Sequence, residues 1–210
     1  MPTNAYAASR YSRVAILLHW AIALLILFNL TTGFFHHAVP KGIWAFHVSS
    51  GITILALTLV RIVWRVTHKP PPFLPMQPWE RVAAHVVHFA LYFVMLAAPL
   101  TGWAMVSTHV DKPAPAAAAP GAPPPAAHRM MVWGLFELPK LAPIVKIGEQ
   151  PDGSAKLKAA HETFEGRHLA LGWIMLGLLV LHLGGALKHQ LVDKQRELAR
   201  MGLGTPRAVY

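Results

Sequence analysis

Four stretches of the chain carry no Asp, Glu, Lys or Arg: the residues between Arg13 and Lys41, then 42–60, 82–110 and 168–187. A hydrocarbon core about 30 Å thick takes about 20 mainly apolar residues of helix to cross, and each run meets or approaches that length. The apolar residues do not alternate as barrel strands would, and backbone in lipid must satisfy its own hydrogen bonds, so the runs read as helices. They predict spans at 14–36, 43–66, 82–106 and 165–188 within one domain over 1–210: an all-α integral membrane protein, a four-helix transmembrane bundle. Arg10 and Arg13 precede the first run, as in a signal peptide. That run is longer than an apolar signal core of about 7–15 residues, and it ends Phe34-Phe35-His36-His37 without a small-x-small cleavage site. It reads as a permanent helix.

Composition agrees with this pattern. Of 210 residues 54% are hydrophobic and only 13% charged, which excludes disorder for most of the chain, and the absence of cysteine excludes a disulfide or cysteine-zinc scaffold. The net charge of +10 is unevenly placed. Four spans put both termini on one side, with eleven basic and three acidic residues there against eight and six on the other. The positive-inside rule therefore predicts cytoplasmic termini. Because the basic residues flank spans instead of forming one face of a soluble module, nucleic acid is not a predicted partner. His68-Lys69-Pro70-Pro71-Pro72 reads as a stiff connection, and residues 113–128, six Pro, eight Ala, one Gly and one His, as an extended spacer in the outer loop. The apolar, aromatic run 130–136 is expected at the membrane interface.

Thirteen histidines stand out, several of them inside the apolar runs, where an ionisable side chain needs a partner or a purpose. His168 and His182 are 14 residues apart on the fourth span. That is close to four helical turns, so both imidazoles share a face about 21 Å apart along the axis. The separation is wrong for one metal ion and right for two haems stacked across a bilayer. Matching depth across antiparallel spans pairs His19 with His182 for an inner haem and His47 with His168 for an outer one. Ser50, Gly51 and Gly172, one turn from proposed ligands, would let a macrocycle approach the backbone, though small residues also drive ordinary helix packing. His85 and His88 share a face of the third span near its cytoplasmic end and are expected to hydrogen-bond a propionate, a quinone or another helix. His161 is expected above the outer haem. His36, His37, His68, His109, His128 and His189 lie at ends or loops and read as exposed imidazoles.

Several stretches together resemble the bacterial cytochrome b561 family of four-helix, di-haem membrane proteins. They are Tyr11-Ser12-Arg13 with Leu18-His19-Trp20, His47-Val48-Ser49-Ser50-Gly51 with Arg61, and Ala84-His85-Val86-Val87-His88 leading to Pro99-Leu100-Thr101-Gly102. His161-Glu162-Thr163 through Leu181-His182 to Ala186-Leu187-Lys188-His189 completes the set, and only residues 107–128 fall outside the likeness. The resemblance implies two haem b groups with His19, His47, His168 and His182 as axial iron ligands. It also implies a multi-pass place in the bacterial inner membrane, among lipid, and electron exchange with ubiquinone as substrate.

Because some members are superoxide oxidases, the resemblance further implies a superoxide:quinone oxidoreductase, with superoxide reacting on the outer side. Arg167, next to His168, is the preferred outer charge, with holding haem propionates as an equal role. Two alternatives stay open: a haem b electron-transfer subunit docking a dehydrogenase or hydrogenase partner protein, and a haem-free, histidine-rich metal transporter. Against the transporter, no Asp or Glu lies in the four charge-free runs, whereas transport sites commonly add carboxylates.

Overall fold

The computed structural model describes residues 10–38, 40, 42–109 and 129–204; the Ala/Pro-rich insertion at 113–128 lies outside the described residues. Its elements are α1 (Arg13–Phe34), α2 (Ile43–Thr67), α3 (Pro78–Ser107), a two-stranded hairpin of β1 (Met131–Val132) and β2 (Phe136–Glu137), α4 (Ala142–Gly148), α5 (Gly153–Leu191) and α6 (Glu197–Arg200). Four of them, α1, α2, α3 and α5, are long and apolar enough to cross a membrane, and they make this a multi-pass membrane protein.

Local chemistry sets their starts. Ser12 caps α1, its Oγ accepting from the Ala15 N–H at 3.3 Å. Pro78 opens α3, where no helical donor is needed, and the Glu80 carboxylate accepts from the Gln77 N–H at 2.9 Å. The fourth span departs most from expectation. It begins at Gly153, twelve residues before the predicted 165, because a solvated helical extension precedes the apolar part. Lys156–Asp152 and Lys158–Glu162 pairs, each four residues apart, line that extension.

The bundle is apolar outward. Leu17, Leu24, Phe89 and Val180 face the surroundings, while Thr32, Ser49, Ser50 and Thr58 are buried. Between the histidine levels, Ile22 and Ile26 of α1, Ile54 of α2, Leu91, Val94 and Met95 of α3 and Met175 of α5 form one core cluster. Asn29 Nδ2 donates to Ser50 Oγ at 2.7 Å and to the Leu25 carbonyl at 3.0 Å, joining α1 to α2 where lipid offers no competing partner. Backbones approach closely between α3 and α5, α1 and α2, and α2 and α3, but α5 makes no comparable approach to α1 or α2. The face of α5 that carries His168 and His182 thus looks across a wider separation.

Both described chain ends meet at one end of the bundle, the near end. The Tyr11 N–H donates to the Arg200 carbonyl at 3.2 Å and Trp20 Nε1 to the Met201 carbonyl at 2.9 Å. Arg200 is buried, donates to the Pro72 carbonyl at 2.6 Å and lies over the Tyr11 ring, so the proline-rich connection also anchors the C-terminal segment. At the far end, the run expected to rest at the membrane interface is a hairpin docked on α2. Trp133 and Gly134 both take the left-handed conformation, closing a tight turn. The Trp133 N–H donates to Ser49 Oγ and its indole Nε1 to Thr53 Oγ1, each at 2.9 Å. These bonds offset the roughly 1 kcal/mol or more that a non-glycine residue gives up there.

Candidate functional site

Two imidazole pairs lie between α5 and the α1–α2 pair of helices. At the near end the rings of His19 on α1 and His182 on α5 have centroids 6.1 Å apart; at the far end those of His47 on α2 and His168 on α5 are 6.2 Å apart. Both pairings follow the depth expected from spacing. Two imidazoles on opposite sides of one metal, bonded through nitrogen at about 2 Å each, put their ring centroids about 6 Å apart. The residues present therefore fit an axially ligated haem at each level. The separation of α5 from α1 and α2 is the second element of that fit.

The far-end rings are oriented by threonines. Thr32 Oγ1 donates its hydrogen to the Phe28 carbonyl at 2.9 Å, so it accepts from His47 Nδ1–H, also at 2.9 Å. His168 Nδ1 lies 3.0 Å from the Ala98 carbonyl, which can only accept, and 3.0 Å from Thr101 Oγ1, whose own hydrogen goes to Ala98. In both rings the Nδ1 position carries the hydrogen and the Nε2 lone pair is left for a metal. Trp44 stacks on His47 with the planes 1° apart. Glycines lie against both rings. A Cβ on Gly33 would lie 3.4 Å from His47 Cε1, and one on Gly102 would lie 3.3 Å from His168 Cε1. A Cβ on Gly172, singled out from sequence, would meet Phe34 Cζ at 3.7 Å instead of a ring of the pairs, Gly51 borders open space, and Ser50 is the Asn29 partner.

The near-end pair has a third imidazole beside it. His88 on α3 lies 5.2 Å from His182 between centroids, its Nδ1–H donating to the Ala84 carbonyl at 2.6 Å. Tyr92, four residues after His88, accepts at its hydroxyl from Arg61 Nε at 3.0 Å, joining α2 to α3. His85 bonds its own helix at the Arg81 carbonyl and packs edge-on to Phe73. Thr58, fully buried on α2, has no partner for Oγ1 among the described residues, a polar atom that a haem substituent or water would satisfy.

Arg167 is exposed, its guanidinium 6.0 Å from the Phe164 ring. His189 is not a free surface imidazole: it bonds Asp193 at 2.7 Å, and Asp193 also binds Lys188, which reaches Glu80 at the start of α3. The Lys188 ammonium holds the Asp193 carboxyl below its usual range. His109 is exposed, as expected, and its ring meets that of His161 edge-on. Sequence reasoning passed over Thr32 and Gly33, and it took Thr101 and Gly102 only as part of a stretch that carries the family likeness, with no role at the histidines. Their positions on neighbouring helices, at the levels of His47 and His168, were the available signal.

Comparison with known proteins gives the family of the chain. The family model for prokaryotic cytochrome b561 matches residues 10–204. Cytochrome b561 homolog 2 of Escherichia coli strain K12 is 29% identical over 203 residues, covering 91% of this chain and 90% of that protein. A Yersinia pestis protein described as "Probable superoxide oxidase CybB" is 27% identical over 197 residues, covering 91% and 95%.

Proposed function

The chain belongs to the prokaryotic cytochrome b561 family of membrane haem proteins, and from that premise we propose that it is a di-haem cytochrome passing electrons from superoxide outside the membrane to ubiquinone within it. The observation that carries the reading is the pair of imidazole couples, 6.1 and 6.2 Å between centroids, at two depths on one helix. His19 and His182 would hold one haem b, His47 and His168 the other. Ligated by two imidazoles, a haem has no open iron position and supplies one-electron transfer.

The chain's own residues do the rest. Thr32, Thr101 and the Ala98 carbonyl fix the far-end rings, and the core cluster around Ile54, Val94 and Met175 keeps water from the middle of the bundle. In this reading the near end lies in the cytoplasm of a bacterial inner membrane, following the excess of basic residues on that side. Two superoxide anions each lose one electron and leave as oxygen, while one quinone takes two electrons and two protons to become quinol. The Yersinia pestis relative's name supports superoxide as donor. Membership of a haem-binding family sets aside the haem-free transporter.

Purified protein should bind two haems per chain, show low-spin b-type bands on reduction, and be reduced by superoxide in stopped-flow mixing, then reoxidised by ubiquinone. One haem per chain would overturn the four-ligand assignment. Haem reduction no faster than in a variant lacking the far-end haem would discard superoxide as the donor, and a stoichiometric co-purifying dehydrogenase would then favour the electron-transfer subunit.

A further inference from the structure

A third imidazole pair lies beyond the far-end one. His161 is seven residues before His168 on α5, two turns and about 10 Å further out along the axis. It repeats the His168 arrangement one heptad away. As Thr101 meets His168, so Thr108, seven residues on and capping the end of α3, meets His161, with Oγ1 and Nδ1 2.8 Å apart. Thr108 is buried and gives its hydroxyl hydrogen to the Met105 carbonyl at 2.7 Å, so the hydroxyl accepts from His161 Nδ1–H. Opposite stands His109, whose Nδ1–H donates to the same Met105 carbonyl at 3.2 Å. Both rings therefore have their hydrogen on Nδ1 and a free lone pair on Nε2.

The spacing differs from that of the two deeper pairs. Ring centroids are 5.1 Å apart and the planes meet at 85°. Imidazoles bonded to one metal at about 2 Å each have centroids about 6 Å apart when opposed, but about 5 Å when they meet at a tetrahedral angle. The deeper pairs match the first arrangement and this pair matches the second.

We propose that His109 and His161 form a site for a divalent, imidazole-preferring transition metal, copper(II) binding most tightly, at the far-end mouth of the bundle. Two neutral imidazoles suit such ions, and the order of affinities among divalent first-row metals peaks at copper. Solvent completes the coordination, since His109 is exposed. Thr108 acts as the positioning residue through its bond to His161.

The test is copper(II) titration of untagged, haem-loaded, full-length protein, followed by electron paramagnetic resonance. One tightly held equivalent per chain with a two-nitrogen signature is expected. His109→Ala and His161→Ala should each abolish it, while Thr108→Val should weaken binding by about tenfold. A double His36→Ala, His37→Ala variant should keep the site, and every variant should keep the wild-type haem spectrum, which separates this outcome from the fate of the haem assignment. Tight copper binding that survives both His109→Ala and His161→Ala, or its loss only in the His36, His37 double variant, would overturn the proposal.

Discussion

Each far-end imidazole is held at Nδ1 by oxygens built into a helix, so its ring is oriented before any metal arrives. Removing such an outer partner commonly lowers metal affinity by about 10–100-fold. Thr101→Val should accordingly loosen the far-end haem while leaving the near-end one bound, as haem titration would show. It should fall short of His168→Ala or His47→Ala, which remove a ligand outright and should lose that haem. His19→Ala and His182→Ala should instead both lose the near-end haem; loss of different haems by these two would break the depth pairing. The histidines were legible in the sequence because an ionisable group inside an apolar run is conspicuous. Thr32 and Thr101 were not, because hydroxyls bonding back to their own helix are ordinary there, and only the neighbouring helix makes these two special. Gly33 and Gly102 were hidden for the same reason: the rings they accommodate belong to other helices.

The elements divide by how strongly charge marks them. Three spans are found within a few residues of their predicted bounds, because absence of charge over about 20 residues has one physical meaning in lipid. The first turns of α5 were invisible to that reasoning, since Lys156, Lys158 and Glu162 make them look like loop. Their signal was the spacing of opposite charges by four, which a solvated helix uses. The hairpin left less trace. Its strands have two residues each, and its register, Met131 opposite Glu137, is secured by Trp133 bonding to Ser49 and Thr53. Those anchors are made by Trp133, downstream of the Ala/Pro-rich insertion. Deleting residues 114–126 should therefore leave both haem bands unchanged in the reduced spectrum. Selective loss of the far-end haem would mean that the insertion holds more of that end than its composition provides.

For the whole molecule, the near end is closed by charge where the far end is closed by docking. Lys188 at the foot of α5 joins Glu80 at the start of α3 to Asp193 in the turn that follows, and His189 adds a second bond to Asp193. Gln195 and Arg200 then tie the C-terminal segment to the Pro75 and Pro72 carbonyls, covering the end nearest His19 and His182. Because its bond to Lys188 lowers the Asp193 pKa, the carboxylate favours the folded state wherever it is ionised in both states. That contribution is complete above the ordinary aspartate value of about 4 and disappears as pH falls through the lowered folded value. Asp193→Asn should thus melt earlier than wild type at neutral pH, with the near-end haem band lost first, and the gap between the two proteins should narrow in acid. Comparing the two at each pH cancels the protonation of the histidines that do not touch Asp193, and a His189→Gln background removes the one that does. A gap of constant size from neutral pH down through the carboxylate range would show that Asp193 closes the near end through shape, not charge.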